Sequence, residues 1–472
     1  PGSTPPDATE IFAEGLIIPP LKLSDQGKLD ETLLEVMRRN TRTPESMMGD
    51  VDAQLACNRV GARGIVKLCA EYGLDNLLQA MDELMDYAER LTRAQIESIP
   101  DGVYRFADYL DHDGIVYDEL VKIAATVTVA GSEIAIDFTG SSPQVHGSIN
   151  SVPSSTRAAV YYVIRSITDP TIPNNDGCFR PVKIIFPTSS VVNPSRPSAV
   201  SVRTVTIKRV VDTLLGCFVQ AMPGRIHAAS CGNLAVVNIG GRDPLNDRPY
   251  VSAGAPTAGG MGARPTKDGI DVIDTDVTNL MNRPTESVEM HTPLRVHEIR
   301  LWTDSGGPGR YRGGLGYHAR IELLRGDATL VVRRDRHDLA PWGLYGGLPA
   351  SVCGVTLHQN GATRALPSKI VLPFHTGDQV EIDTTGGAGY GDPLLRPAAA
   401  VRDDVIDRRV SPAGAREQYG VEFSGEGIDI IVDERATEQR RARLAATRGP
   451  INWVFDRGVE YAARLGQPAR HS

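Results

Sequence analysis

The sequence predicts an α+β protein with a helical N-terminal portion, a large β-rich central region and a small C-terminal helical appendage. Apolar residues recur at helical intervals in residues 1–110, and their period changes to two from about Val103. The 47 glycines and 32 prolines, set against only 6% aromatic residues, are typical of tight turns between short strands. We therefore expect the chain to divide into residues 1–110, 111–396 and 397–472.

Two helices are predicted in the N-terminal portion. The first follows Ser24 and Asp25, which have the chemistry of a helix cap, and it stops at Asn40. The second extends from Asp75 to Ser98, where the apolar residues form one stripe. This second segment is therefore predicted to be an amphipathic helix.

A β-hairpin and two further helices are predicted in the central region. Leu120–Val129 and Glu133–Phe138 alternate apolar and polar residues on either side of an Ala-Gly-Ser turn, which is the pattern of paired strands. Helical periodicity then recurs over Thr156–Ser166 and over Val210–Val219.

The C-terminal appendage is predicted to begin with a linker or loop at Pro397–Ala400. A short helix is predicted over Ala413–Val421, and an exposed, arginine-rich helix over Asp433–Arg448. The balanced charge of this last helix is typical of a solvated face rather than of a binding site.

Composition and charge exclude several classes of protein. With 41% apolar and 23% charged residues, the 472-residue chain is predicted to be globular rather than disordered or fibrous. The 50 Lys and Arg residues against 58 Asp and Glu residues give a net charge of −8, so we expect no nucleic acid partner. No stretch approaches the ~18 consecutive apolar residues of a membrane span, so we expect no membrane partner and a cytoplasmic location.

The strong nucleotide and hydrolase motifs are missing from the sequence. Gly27-Lys28, the only Gly-Lys pair, is followed by Leu29, so there is no P-loop motif, and H-E-x-x-H, G-x-S-x-G and a Rossmann G-x-G-x-x-G are also absent. We therefore expect this chain to bind neither ATP by a P-loop nor NAD in a Rossmann crevice. The six cysteines are expected to be reduced and mostly buried thiols, with Cys231, near His227, as the one candidate nucleophile.

Two glycine-rich segments, Asp304–Gly316 and Thr385–Pro393, have two open interpretations. Backbone N–H groups in such loops, together with the guanidinium groups of Arg310 and Arg312, can form an anion-binding nest. Glycines equally supply positive φ angles for turns and let two backbones pack closely. The polar loop Asp137–Asn150 is similarly open between positioning a substrate and forming caps and turns.

Several collinear blocks of the sequence resemble the hydantoinase B/oxoprolinase family in order and spacing. The blocks are Gly49–Gln54, Asp137–Asn150, Pro173–Gly177, Pro194–Val200, Asp304–Gly316 and Gly386–Pro393. The resemblance extends from about Pro1 to Val421, and this coverage identifies the chain as a member of the family.

The resemblance implies a role in an ATP-dependent assembly. In this family an actin-like partner subunit of the hydantoinase A type binds ATP and Mg²⁺, and the B-type subunit helps to form the site for a small-molecule substrate. ATP phosphorylates an unreactive amide or enolate oxygen to make a leaving group, and a divalent metal, Zn or Mn, can stabilise the charge that develops. Members open hydantoins, 5-oxoproline or lactams, and relatives carboxylate ketones such as acetone and acetophenone.

Three functions are therefore compatible with the resemblance. The leading one is the B-type subunit, or the C-terminal part of one, of an ATP-dependent amidohydrolase that opens hydantoin-like, 5-oxoproline-like or lactam rings. The alternatives are a subunit of an ATP-dependent ketone carboxylase and a non-catalytic scaffold subunit.

The sequence departs from the family at its start. In the family, a segment with His and Asp residues ligates the metal and ends shortly before a Pro-Gly-Ser-x-Pro stretch, which here is Pro1–Pro5. No metal ligand is therefore assigned to this chain, and the ligands are expected outside it. A separate polypeptide or a cleaved-off segment that carries them is the preferred explanation, and a fragment or a degenerate subunit are the others.

Eight residues are candidates for the site. Asp50 and Asp137 are assigned as catalytic carboxylates, which would orient the substrate or support the metal from outside its ligand shell. The candidates for substrate binding are Glu14, Gln54, Gln144, Asn150, Asn174 and Arg203. Their amides suit the edge of a ureide or lactam, and the guanidinium of Arg203 suits a carboxylate or phosphate.

Overall fold

The secondary structure is known for residues 5–234, 236–253, 258–425 and 427–471, which the computed structural model describes. The helices in these ranges are α1 (Glu31–Arg39), α2 (Pro44–Tyr72), α3 (Leu74–Ile96), α4 (Pro153–Ile167), α5 (Arg203–Ala221), α6 (Thr285–His291), α7 (Ala398–Ile406), α8 (Pro412–Gln418), α9 (Glu434–Arg448) and α10 (Gly458–Leu465). The strands are β1 (Ser24–Asp25), β2 (Lys28–Leu29), β3 (Gly102–Leu110), β4 (Val121–Ala130), β5 (Glu133–Asp137), β6 (Val182–Ile185), β7 (Val236–Asp243), β8 (Arg248–Ala253), β9 (Leu294–Leu301), β10 (Tyr317–Leu323), β11 (Asp327–Arg333), β12 (Gly343–Leu344), β13 (Gly354–Gln359), β14 (Ala362–Ala365), β15 (Lys369–His375), β16 (Gln379–Asp383), β17 (Phe423–Ser424), β18 (Ile431–Val432), β19 (Phe455–Asp456) and β20 (Arg470–His471). The predicted α+β class is confirmed.

The two predicted N-terminal helices are confirmed as α1 and α3. Asp30 caps α1, because its Oδ1 accepts a hydrogen bond from the Leu33 amide at 3.0 Å, and the helix ends before Asn40. The sequence did not predict α2, a 29-residue helix, because its apolar residues do not follow one buried stripe and Val51 is its one buried residue.

We call α2 and α3 together the arm. Gly73, at φ 83°, joins the two helices in a backbone conformation that glycine adopts without strain. The buried residues of α3 lie in its C-terminal half, which packs against residues 176–179 and β5. The arm exposes a series of large apolar side chains, namely Val60, Ile65, Val66, Leu68, Tyr72, Leu74, Leu78, Met81, Leu84 and Tyr87. Neither these helices nor any other described helix combines the length and the apolar composition that crossing a membrane requires.

A four-stranded sheet, β3-β4-β5-β6, packs with helices α4 and α5 around the larger core. The predicted hairpin is confirmed as β4 and β5, which pair antiparallel around Gly131, whereas β5 and β6 are parallel. The predicted helices of the central region are confirmed as α4 and α5. Nearly every residue of α5 is buried, and Gly216 lets it approach β3, since a Cβ there would lie 2.4 Å from the Phe106 ring.

Two antiparallel sheets enclose a second core. Their strand orders are β14-β13-β16-β10-β9 and β15-β11-β7-β8. Buried side chains alternate along β10 and β16 of the five-stranded sheet, so that one face of this sheet is directed at the core. Ile239, Ile321, Leu330 and Val380 are fully buried in this core.

Helices α7 and α8 form a small C-terminal core with Tyr419 and Val421. The prediction of a linker or loop at Pro397–Ala400 is wrong, because α7 begins at Ala398, directly after Pro397. A proline at the start of a helix costs no hydrogen bond, since the N–H groups of the first turn have no partner within the helix. The two helices predicted further along the appendage are confirmed as α8 and α9.

Four glycine-rich segments meet backbone to backbone, and we call their meeting point the glycine junction. The segments are residues 259–262, 305–316, 343–347 and 386–391. A Cβ at Gly313 would lie 1.7 Å from the carbonyl oxygen of Gly387, and a Cβ at Gly260 would lie 1.9 Å from that of Gly314. The Gly387 amide donates to the Gly314 carbonyl at 2.8 Å, and the Gly314 amide donates to the Met261 carbonyl at 2.8 Å. Only glycine permits these approaches.

The glycine junction favours one of the two interpretations of the glycine-rich segments. Amides in these segments donate to neighbouring carbonyls, so these donors are already used. Arg312 is buried, and its guanidinium forms ion pairs with Asp271 at 3.3 Å and Asp404 at 3.5 Å. Close backbone packing, rather than anion binding, therefore accounts for Asp304–Gly316.

Gly313→Ala should destabilise the protein by roughly 1–3 kcal/mol or more, because the added methyl group would overlap a backbone atom that cannot move independently. Chemical denaturation monitored by circular dichroism measures this change. Gly354→Ala is the matched control, since nothing lies within 4 Å of a Cβ at that position. Equal stability of the two variants would show that the junction tolerates side chains.

Candidate functional site

Glu14 and Arg203, two of the predicted site residues, lie at the start of helix α5. The Oε1 atom of Glu14 accepts hydrogen bonds from the amides of Val200 and Ser201, each at 2.7 Å. Arg203 is the first residue of α5, and its Nε donates to Ser155 Oγ at 3.2 Å. Glu14 therefore anchors the N-terminal part of the chain to the segment that leads into α5.

Gln144 and Asn150 contact the same segment from the polar loop. The Oε1 atom of Gln144 accepts from the Ser195 amide at 2.7 Å. Asn150 is fully buried, accepts from the Val145 amide at 2.9 Å and donates to the carbonyl oxygens of Val145 and Ala199 at 2.9 and 3.1 Å. The amide group of Asn150 thus fixes the loop against the segment before α5.

The other four predicted residues occupy other positions. Asp50 and Gln54 are exposed on α2, and Asn174 is exposed in the turn before residues 176–179. Asp137 ends β5, where its Oδ1 accepts from the Thr139 amide at 2.8 Å. The structure brings four of the eight residues to one segment, and the functional roles of all eight stay predictions.

Seven buried charged side chains form a set that we call the charge cluster. Its members are Asp108 and Asp111 at the end of β3, Arg209 and Asp212 on α5, Asp335 and Arg336 after β11, and Lys369 on β15. None is more than 2% exposed. The cluster therefore joins the four-stranded sheet, α5 and one sheet of the second core.

Arg209 is the central cation of the charge cluster. Its Nη2 lies 2.7 Å from Asp335 Oδ2, and its Nη1 lies 3.1 Å from Asp108 Oδ2. Asp335 also accepts from the Asp111 amide at 2.9 Å through Oδ1. Two carboxylates from distant parts of the chain thus share one guanidinium, whose planar fork suits this arrangement.

Arg336 and Lys369 complete the charge cluster. The Nη2 atom of Arg336 lies 2.7 Å from Asp212 Oδ2 and 3.4 Å from Asp108 Oδ2. Lys369 Nζ lies 3.5 Å from Asp335 Oδ1. The positive and negative groups alternate, which offsets much of the cost of removing them from water.

Burial changes the acidity of the groups in and beside the charge cluster. It raises the pKa of Asp111, Asp335 and Asp212 above the ordinary range of a carboxyl group. Burial, followed by the Lys369 charge, lowers the pKa of His112 to about 4. A raised carboxyl pKa in a cluster of charges is common at functional sites, although structural ion-pair networks produce it as well.

His112 has a defined hydrogen-bonding state at neutral pH. Its Nδ1 accepts from the Gly114 amide at 3.1 Å, so Nε2 carries the proton and donates to Ser368 Oγ at 3.1 Å. The ring also lies 4.5 Å from that of Tyr117. His112 is therefore a neutral donor beside the charge cluster.

Sequence reasoning did not assign the charge cluster, although a signal for it was present. Lys208, Arg209 and Asp212 interrupt the apolar pattern of a helix that is apolar on several faces. Charges at such positions are buried and must be paired. The identity of their partners, which come from distant parts of the chain, requires the tertiary structure.

Cys231 does not have the environment of a reactive thiol. It is 2% exposed, and burial raises the pKa of its thiol above the ordinary value. The structure thus favours the interpretation of Cys231 as a buried thiol.

The described ranges hold no candidate metal site. These ranges contain no group of three or more His, Cys, Asp or Glu side chains that could hold a metal ion. The expectation that the ligands of a divalent metal lie outside this chain stays a prediction.

Arg209→Gln should destabilise the protein by about 3–5 kcal/mol, because it leaves the carboxylates of Asp108 and Asp335 buried without their main cation. Denaturant unfolding measures the change. The control is Arg402→Gln, which removes an exposed pair with Asp403 and should cost less than about 1 kcal/mol. A loss of less than about 1 kcal/mol for Arg209→Gln would contradict the central role of this residue.

Acidification from pH 6.5 to pH 4 should destabilise the folded protein through His112. Because the folded pKa of His112 is about 4, the unfolded chain binds a proton over this interval that the folded protein does not. At about 1.4 kcal/mol per pKa unit, the free energy of unfolding falls by at most about 3 kcal/mol through this residue. Unfolding free energies at the two pH values should therefore show a smaller loss for His112→Asn than for the wild type.

The comparison with a variant is needed because other groups respond to acidification in the opposite way. The raised pKa values of Asp111, Asp335 and Asp212 let the folded protein bind protons, which stabilises it as the pH falls. His375→Asn is the control, since the hydrogen bond with Asp327 raises the pKa of His375. A group of this kind has gained nearly all of its stabilisation by pH 6.5, so its removal should leave the loss between pH 6.5 and pH 4 almost unchanged. Identical losses for wild type and His112→Asn would contradict the prediction.

Comparison with known proteins identifies the relatives of this chain. The hydantoinase B/oxoprolinase family model matches residues 1–393, a range that ends before the Val421 expected from the sequence. The B-type subunit of a putative D-/L-hydantoinase from Pseudomonas sp. (strain NS671) is 34% identical over 450 residues, which cover 92% of this chain and 74% of that protein.

Two solved structures share the fold. The crystal structure of the ATP-dependent caprolactamase from Pseudomonas jessenii has a TM-score of 0.84 and 31% identity, and the match covers 93% of this chain and 77% of that one. A nucleotide-free structure of acetone carboxylase has a TM-score of 0.86 at 22% identity, with 95% of this chain and 66% of that one covered, and this likeness shows the fold alone. With the family model matching most of its length, this chain belongs to the hydantoinase B/oxoprolinase family.

Proposed function

We propose that this chain is the B-type subunit, or the C-terminal part of one, of an ATP-dependent amidohydrolase that opens hydantoin-like, 5-oxoproline-like or lactam rings. The observation that supports this most is the likeness to the ATP-dependent caprolactamase, at 31% identity and a TM-score of 0.84. Caprolactam and hydantoin both contain an amide C–N bond within a ring. A shared reaction on that bond would explain why this chain resembles both enzymes.

The proposal includes a partner subunit of the hydantoinase A type. That partner would bind ATP and Mg²⁺, and the bound ATP would supply the phosphoryl group that activates the amide oxygen. The name of the hydantoinase relative, which marks it as a B-type subunit, supports an assembly of more than one chain. Within such an assembly, the residues of this chain would bind and orient the ring.

The exposed apolar surface of the arm also supports an assembly. Val66 on α2 is 67% exposed and Leu74 on α3 is 58% exposed, and both belong to the series of large apolar side chains along the two helices. Such a surface is unfavourable in water and typically marks a contact between proteins. We infer that the partner subunit covers the arm.

The Pro6 carbonyl lies beside Gly114, close to the charge cluster. Ser148 Oγ donates to the Pro6 carbonyl at 3.2 Å, and a Cβ at Gly114 would lie 2.8 Å from that same oxygen. Gly114 follows His112 and Asp113, which adjoin the charge cluster in sequence. The proposal also includes a divalent metal, Zn or Mn, whose ligands would lie outside this chain and which would stabilise the charge that develops on the amide.

The proposed complex should hydrolyse ATP in response to a cyclic amide. We expect turnover by the chain reconstituted with its A-type partner to rise on addition of caprolactam, hydantoin or 5-oxoproline and to be unaffected by bicarbonate. Release of phosphate and of the ring-opened product measures the reaction. Turnover that requires a ketone and bicarbonate would instead identify a carboxylase, and turnover by this chain alone would contradict the need for a partner.

Asp137→Asn is the variant that tests the proposed catalytic carboxylate in this assay. The asparagine oxygen can still accept from the Thr139 amide, so the turn is retained while the charge is lost. We expect turnover to fall about tenfold or more with the complex intact. Asp101→Asn is the matched control, because Asp101 accepts from the Gly131 amide at 2.8 Å in a similar exposed turn. Equal turnover of the two variants would exclude Asp137 from catalysis.

A further inference from the structure

A cavity of about 290 Å³ lies between the β3–β4 strands and the C-terminal residues 455–471. Three cationic side chains line it, Arg105 on β3, Lys122 on β4 and Arg457 before α10. The described residues that line the cavity include no Asp or Glu. The wall is therefore positively charged, and the rings of Phe106 and Tyr461 provide its flat apolar part.

Arg457 is held rigidly in the wall of this cavity. Its side chain is 4% exposed, and its Cζ lies 4.1 Å from the ring centroid of Phe106 and 4.7 Å from that of Tyr461. The two rings orient the guanidinium through cation–π contacts. The side chain is thus positioned before any ligand arrives.

The charge of Arg457 is only partly balanced within the protein. Its buried Nε and Nη1 atoms have no hydrogen-bond partner among the described residues. The nearby carboxylate is that of Asp108, whose Oδ1 lies 3.8 Å from Nη1, beyond hydrogen-bonding distance. Asp108 is shared with Arg209 at 3.1 Å and Arg336 at 3.4 Å. The carboxylate of Asp108 is therefore shared by three guanidinium groups.

A buried guanidinium that is only partly balanced is costly, because a desolvated donor without an acceptor loses its hydrogen bonds to water. An anion in the cavity would lie beside this guanidinium and would improve the charge balance around it. The neighbouring carboxylate of Asp456 does not balance the Arg457 charge, since it is paired with Arg470 at 2.7 Å. The cavity is large enough for a small organic anion rather than a single atom.

We propose that this cavity binds the oxyanion group, carboxylate or phosphate, of a small molecule, which the positive charges of Arg105, Lys122 and Arg457 attract. Arg457 lies outside the range 1–393 that the family model matches. The site is independent of the proposed hydrolase activity.

Isothermal titration calorimetry of the full chain with inorganic phosphate and with succinate tests the proposal. We expect saturable binding of at least one of them at constant ionic strength. Tighter binding of phosphate would assign the ligand to phosphorylated molecules, and tighter binding of succinate would assign it to carboxylates. Absence of saturable binding of both anions would overturn the proposal.

Variants locate the binding in the cavity. The double variant R105Q/K122Q should lower the affinity for the more tightly bound anion about tenfold or more, since each lost charge removes a favourable contact. Arg248→Gln, at an exposed position on β8, is the control and should bind as the wild type does. Arg457→Gln should abolish the rise in melting temperature that the anion causes. Unchanged affinity of the double variant would overturn the proposal even if Arg457→Gln failed to fold.

Discussion

The close approach of backbones at the glycine junction is the constraint on which the rest of the structure depends. The Cys231 amide donates to the Gly260 carbonyl at 2.8 Å, and the Ala388 amide donates to the Ala229 carbonyl at 2.8 Å. These bonds tie the residues that follow α5 to the segments between the two large sheets. Because no side chain fits between the backbones, α5 has one position relative to those sheets.

The charge cluster uses that fixed position. Arg209 on α5 can contact Asp108 and Asp335 together only while the distance between the sheet and the helix stays constant. Buried ion pairs of this kind contribute little net stability compared with apolar residues of the same volume, but they are strongly selective for one geometry. The cluster therefore specifies an arrangement, and through Asp108 it extends to Arg457 and the C-terminal cavity.

Family membership narrows the function without deciding the reaction. The fold is shared with a caprolactamase and with an acetone carboxylase, so the architecture is compatible with hydrolysis and with carboxylation. The 31% identity to the caprolactamase supports the proposed cyclic amide reaction, whereas the likeness to acetone carboxylase, at 22% identity, shows the fold alone. The exposed apolar side chains of the arm are the feature on which the proposed contact with a partner subunit rests.

The sequence by itself determined the helices with one apolar stripe, the β4–β5 hairpin and the family, because these depend on periodicity and on residues close together in the chain. Helix α2 was missed because it buries almost nothing, and the start of α7 because a proline was interpreted as part of a loop. Only the tertiary structure decided that glycines pack against glycines and that Asp108 meets Arg209. Both contacts join residues far apart in sequence, and no local pattern records which distant backbone or charge will be the neighbour.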